Sequence, residues 1–254
     1  MTRVSEAIDE LAARLVELGW VTDVWVGGSV STGDHRIGVS DVDLVALVDG
    51  PMGAGRVAAV RSLHVALDAG VARGLQLGCV YVDAGVLPVV GERHPTWTHG
   101  RMVERALSPL ARAELAQHGW ALTGRGLRER SPADVLPPAD AAAVRSAVRS
   151  ELAGYWTWAV RRPWLWLDRD LQELAIVTMA RARRALADGE LVSKTAVLDD
   201  LAAPPWLGRA IRAHRTGEGG RSPVVLAPVS GVIALGDTVR TIRSARATRS
   251  ARAT

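Results

Sequence analysis

The stretch VGGSVSTGDHRIGVSDVDLVALV, residues 26–48, decides how the rest of the chain is read. Its end, residues 42–48, is apolar apart from Asp43, and reads as a strand buried along its length. Asp41 and Asp43 stand two residues apart, so a strand puts both carboxylates on one face. Without a partner such a pair repels, loses hydration, and holds one proton too many. A divalent cation removes both penalties. Oxygen donors in this number suit Mg²⁺, which takes one or two carboxylates together with substrate phosphates. Upstream, Gly27, Gly28 and Ser29 mark a place where a strand hands over to a helix or turn. There the backbone N–H groups and a hydroxyl can meet phosphate oxygens. A phosphate grip beside a metal pair is the apparatus that moves a nucleotidyl group.

Outward from this stretch, residues 5–18 place Ile8, Leu11, Ala12, Leu15 and Leu18 at helical spacing, and Gly19 ends the helix. Residues 23–27 and 75–82 read as further strands and 56–72 as a helix, so the first third alternates helix and strand. That alternation predicts a sheet with helices packed on it. The prolines of RSPADVLPPAD, residues 130–140, mark a linker. Beyond it only helical signals follow, at 140–160, 168–187, 193–203 and 224–242, with Gly189 placed to end the second. The expected organisation is an α/β domain over 1–135, a helical domain over 136–242, and a basic, disordered tail over 243–254.

The chain has 254 residues, 48% of them apolar and 23% charged, the composition of an ordinary globular protein with one large or two modest domains. Nine Trp stand against no Phe, for which the sequence offers no physical reason. The net charge of +4 equals the four arginines of the repeated RSARAT ending, so the remainder is formally neutral. This argues against a nucleic-acid-binding body and leaves only weak polyanion contacts for the tail. Cys79 is the only cysteine, which excludes an intramolecular disulfide and suits a reducing compartment. No run approaches the roughly 18 apolar residues of a membrane span, and the expected location is the cytoplasm.

Gly28-Ser29, a spacer, and Asp41-Val42-Asp43 before an apolar strand resemble the minimal motif of the polymerase β-like nucleotidyltransferase superfamily. Residues 176–198, IVTMARARRALADGELVSKTAVL, are similar to a stretch in the helical domain of the streptomycin/spectinomycin adenylyltransferases. The resemblance implies a mixed sheet with flanking helices followed by a helical bundle. It implies transfer of AMP from ATP, with Mg²⁺, to a hydroxyl of an aminoglycoside. By position, Ser29 and Ser40 would bind phosphate and Asp41 and Asp43 would hold the metal. Arg181 and Lys194 match the family's basic residues that bind ATP phosphates.

One departure concerns the general base. The family carries a glutamate on its third strand, and the best alignment puts Gln76 there, whose amide cannot take a proton at neutral pH. Asp83 is the next carboxylate on that strand, with opposite parity. For a cationic acceptor, carboxylates and aromatic faces are expected. Residues 156–173 offer four Trp with Asp168, Asp170 and Glu173, and a loop over 94–100 offers Trp97 between His94 and His99. Trp at such spacing also serves packing, and acids before a helix also serve as caps. Two alternatives stand beside the aminoglycoside reading. One is the same fold with another small alcohol, a protein or an RNA as acceptor; the other is a nucleotide-binding protein of weak activity.

Overall fold

Helix α1 (Thr2–Glu17) buries Ile8, Leu11 and Leu15, the stripe that its spacing predicts. It leads into β1 (Val21–Val26), the short helix α2 (Gly28–Ser31) and β2 (Val42–Val48). Helix α3 (Ala54–Ala69) then crosses to β3 (Leu77–Asp83). The crossover is needed because β2 and β3 are parallel, whereas β1 and β2 are antiparallel. A hairpin of β4 (Arg93–Thr98) and β5 (Arg101–Ala106) follows, then α4 (Pro109–His118), the two-residue β6 (Trp120–Ala121) and α5 (Pro132–Val135). The mixed sheet runs β5-β4-β3-β2-β1-β6, as the α/β expectation requires.

Alternation along the strands divides the core in two. Val24, Val26, Leu44, Ala46 and Val48 pack with α1 and α3 on one face. Trp25, Val45, Leu47 and Val82 pack with Leu107, Leu115 and Leu136 on the other, beneath α4 and α5. Asp43 shares the parity of Val45 and Leu47, so its side belongs to the α4 face. Asp23 is fully buried in β1, where Arg130 pairs with it at 2.6 Å and the Arg130 N–H donates to it at 3.1 Å.

The computed structural model describes residues 2–87, 89–124, 126–219 and 224–250, and it divides into two compact units, Met1–Pro138 and Ala139–Thr254. In the second unit α6 (Ala141–Glu151) passes through one π turn, Leu152–Trp156, into α7 (Thr157–Val160). Helix α8 (Arg169–Asp188) is capped at its start by Asp168 and closed by Gly189 at φ +80°. Helix α9 (Pro205–Thr216) and helix α10 (Ala227–Ser250) complete the unit, all-helical among the described residues. Gly231 of α10 lies so close to the Trp166 carbonyl that a Cβ there would stand 2.1 Å from the oxygen.

Two expectations need correction. The segment 193–203 forms no α-helix, only a single 3₁₀ turn at Thr195–Val197. It runs into Pro204 and Pro205, which lack N–H donors, and the helix begins after them as α9. The tail expected from residue 243 is helical through Ser250, continuous with α10. Its Ala and Arg are strong helix formers, and Ile242 and Ala245 are buried. Residues 251–254 lie outside the described residues. No described helix is long and apolar enough to cross a membrane.

Candidate active site

Gly28 and Asp43 meet at the mouth of the sheet. The Gly27 N–H donates to the Asp43 carbonyl at 2.9 Å, which draws the β1–α2 junction onto the start of β2. Gly28 adopts φ +58°, and a Cβ on it would lie 2.2 Å from Asp43 Oδ2. Glycine is therefore required twice over here, by backbone conformation and by the carboxylate against it. Ser29 Oγ donates to the Asp41 carbonyl at 3.4 Å, so the next motif residue is tied to the other aspartate. Asp41 is half-buried just before β2, and Asp43 is exposed. Ser40 is buried, and its Oγ accepts from the Arg36 N–H at 3.2 Å; it closes the 36–40 loop.

On the α4 face a cavity of about 290 Å³ opens beside Asp43, lined also by Gly28, Gly78, Thr96, Arg105 and Glu114. Its existence follows from the register of the parallel pair, which sets Asp43 beside Gly78. Gly78 offers no side chain, and a Cβ there would meet only backbone oxygens at 3.5 and 3.6 Å. The position on β3 beside Asp43 thus carries no side chain, and a second carboxylate lining the same cavity is Glu114, from α4. Sequence reasoning missed Glu114 and Arg105. The signal for Glu114 was its place one residue before Leu115, a core residue of a Ser108-capped helix.

The remaining expected residues are dispersed. Gln76 is exposed, with φ +51°, and its carbonyl accepts from the Val42 N–H at 3.3 Å. Its left-handed backbone makes it a turn residue leading into β3, not a strand residue. Asp83 pairs with Val48 at the opposite end of β2 from Asp43, and its Oδ1 accepts from the Gly85 N–H. Five residue steps along the strand, roughly 16 Å, separate it from Gly78. The 94–100 segment is not a loop but the β4–β5 hairpin, turned by His99 and Gly100, both at positive φ. Trp97 is 1% exposed there, stacked on His64 and donating its Nε1–H to Asp68 at 3.1 Å. Its ring is committed to the core, and its residue borders the cavity. His94 is also buried, and burial together with the Arg112 charge holds its pKa low.

In the helical unit, Asp168 Oδ1 accepts from the N–H groups of Asp170 and Leu171, and both aspartates are exposed. Glu173 is engaged internally with His214 and Arg215 at 2.8 and 2.6 Å. Of the four Trp in 156–173, Trp156 and Trp166 are core, while Trp158 and Trp164 are exposed. Tyr155 stacks on Trp158 at 5.7 Å, and its pKa is raised by burial and by the charges of Asp168 and Glu151. Arg181 Nε donates to the Val192 carbonyl at 2.7 Å, which ties α8 to the segment carrying Lys194.

Among the described residues no three His, Cys, Asp or Glu side chains gather as a metal site. Asp41 and Asp43 offer two carboxylates, a number that fits Mg²⁺ when substrate oxygens complete its shell.

Residues 7–69, from α1 through α3, match the model of the family described as a nucleotidyltransferase domain. In fold, the chain is similar to the spectinomycin adenyltransferase AAD(9) from Enterococcus faecialis, a structure solved with ATP and spectinomycin. The TM-score is 0.64 at 12% identity, over 92% of this chain and 98% of that one. No curated protein matches in sequence. The chain is an enzyme of nucleotidyltransferase type whose fold resembles that of a spectinomycin adenyltransferase.

Proposed function

We propose that this nucleotidyltransferase passes AMP from ATP to a hydroxyl of a small cationic acceptor, an aminoglycoside being the favoured class. The observation that carries the reading is the carboxylate of Asp43, set against Gly28 and opening onto a cavity that Glu114 enters. Asp41 and Asp43 would hold Mg²⁺, which when bound supplies positive charge to the triphosphate. Ser29, at the turn that positions Asp41, is the phosphate-side hydroxyl. Arg181 and Lys194 are the proposed cationic partners of the triphosphate, as the resemblance implies.

The acceptor hydroxyl oxygen forms a bond to the α-phosphorus as the bond from that phosphorus to the β-bridging oxygen breaks. Pyrophosphate leaves, and the hydroxyl proton must go to a base. Glu114 fills that role in this reading, because β3 presents Gly78 where a side chain could have reached the same space. Positioned base help is commonly worth about 10²–10⁴-fold. The exposed Tyr155, Trp158 and Trp164, with Asp168 close enough to act on Tyr155, offer aromatic and acidic groups to a polycation. ATP as donor and the buried, reduced Cys79 fit a cytoplasmic setting.

The test is transfer of labelled AMP to a panel of aminoglycosides. Glu114→Gln should lower kcat by about 10²-fold or more with little change in the KM for ATP. Asp43→Asn should remove transfer. Failure of the wild-type protein to label any acceptor, with ATP binding intact, would favour the alternative of a nucleotide-binding protein of weak activity, which the empty position at Gly78 also fits.

A further inference from the structure

The helical unit carries a second cavity, of about 470 Å³, that the adenylyl-transfer reading does not use. Its walls are α6, α8 and α10, and its charged lining is Arg149, Arg183, Arg240 and Asp237. Three guanidiniums thus face one carboxylate. Asp237 is 2% exposed and is already engaged: Arg183 Nη1 donates to both its oxygens, at 2.8 and 3.0 Å, and to Thr241 Oγ1 at 3.1 Å. Arg240 stands 3.7 Å away, at the reach of an ion pair but short of a hydrogen bond.

The arginines are not satisfied by this arrangement. Arg183 Nη2 and Arg149 Nε are buried and have no hydrogen-bond partner among the described residues. Buried donors in a folded protein are nearly always paired, so two orphaned guanidinium N–H groups beside this cavity mark its wall as electrostatically incomplete. Ser244 and Thr248 add hydroxyls to the wall, while Leu186, Ala187, Ala202 and Ala245 keep part of it apolar. Its volume lies within the range of small-molecule pockets. The guanidinium fork matches phosphate oxygens two at a time.

We propose that this cavity is a binding site for a small anion bearing phosphoryl groups, separate from the site at Asp41 and Asp43. The net charge of its lining, two positive, calls for at least two negative charges on the ligand. Arg183 is held by Asp237 as the fixed wall, and Arg149 and Arg240 close on the ligand from α6 and α10. The spacing on α8 separates this site from the proposed ATP contacts: Arg181 and Arg183 are two residues apart and so point to different sides of the helix.

The test is calorimetric titration of the full chain with inorganic pyrophosphate in the presence of a chelator, which removes metal-dependent binding elsewhere. Wild-type protein should bind, and affinity should fall as salt is raised. The double variant Arg149→Gln/Arg240→Gln should bind about a hundredfold more weakly or worse, since each charge-assisted contact is worth about tenfold or more. It keeps the Arg183–Asp237 pair, so its melting temperature should stay near that of the wild type. Lys194→Ala should bind as the wild type does. No binding by the wild type overturns the proposal, as does equal binding by the double variant or loss of binding in Lys194→Ala alone. Failure of AMP transfer leaves these outcomes unchanged, because none of them requires turnover.

Discussion

Replacing Gly28 by alanine should separate the site from the fold. The added Cβ would fall 2.2 Å from Asp43 Oδ2, 3.0 Å from its Cγ and 3.1 Å from its Cβ. An ordinary C···O approach is about 3.3 Å, so the carboxylate must retreat by about 1 Å. The atom displaced most is the end of a side chain at an exposed position, so the retreat costs the fold little. The residue must also hold φ +58°, which costs an L-residue about 1–2 kcal/mol. The melting temperature should then fall by only a few degrees, on the order of 2–4 °C per kcal/mol for a chain of this size. Catalysis depends more steeply on position: a displacement of about 1 Å can cost about 10²-fold. The assay pairs thermal unfolding with AMP transfer over a Mg²⁺ titration. The expected result is a near-wild-type melt, a weakened metal dependence and kcat reduced by about two orders of magnitude. A variant that melts within a few degrees of the wild type and retains kcat within about threefold would refute the assignment of the Asp43 carboxylate to the reaction centre.

Other outcomes follow from groups away from the reaction. Asp23 is buried, which opposes its ionisation, but hydrogen bonds from Arg130 and Thr22 outweigh this and leave its pKa below the usual value. Its stabilisation is therefore complete above about pH 3.9 and is lost as pH falls through the depressed folded value. Arg130→Met should strand the carboxylate and cost about 2–3 kcal/mol in urea unfolding, discounted for the partly exposed arginine. His64 is held neutral by burial, with its pKa lowered to about 3, so the unfolded chain takes a proton that the folded one refuses. Stability should decline from about pH 6.5 downward, by at most about 1.4 kcal/mol per pH unit, and the His64→Phe variant should show a shallower acid slope. Gly231→Ala would drive a methyl group into the Trp166 carbonyl, and should destabilise the helical unit by more than about 2 kcal/mol with the first unit's unfolding unchanged.

What the sequence disclosed was the part of the site whose logic is local. Residues 26–48 carry their own turn, glycine and strand parity, so spacing alone singled out Gly28, Ser29, Asp41 and Asp43 as candidates. Asp83 and Gln76 misled because both depend on register and on backbone sign. A parallel pairing fixed by a distant crossover sets Gly78, not Gln76, beside Asp43, and no spacing rule reveals that. The β4–β5 hairpin was hidden because RHPTWT holds His94, Thr96 and Trp97 in the core, a pattern with little apolar alternation. Glu114 was illegible for a related reason. Its place at the cavity depends on α4 lying over the face that Asp43 shares, a relation between segments 71 residues apart. In the helical unit, α8 was legible from its apolar stripe and terminal glycine, whereas α9 begins only at Pro205, beyond the 193–203 segment that was expected to be helical.

The β4–β5 hairpin has a bearing on how such a pocket could change its clientele. Thr96, Thr98 and Arg105 line the cavity from two strands at the sheet's edge, joined by a turn of His99 and Gly100. Asp41 and Asp43, the proposed metal ligands, come from an earlier and separate run of chain. Alterations confined to the hairpin, whether of its side chains or of its turn, would reshape the wall without passing strain to Asp43 through a covalent neighbour. Its outer strand is exposed and carries Arg101, Glu104 and Arg105, charges that discourage pairing with a foreign edge. The hairpin is thus a wall that can vary at Thr98 and Arg105, while Trp97 stays fixed in the core. Substitutions at Thr98 and Arg105 would alter the cavity wall while Asp41 and Asp43 keep their own segment.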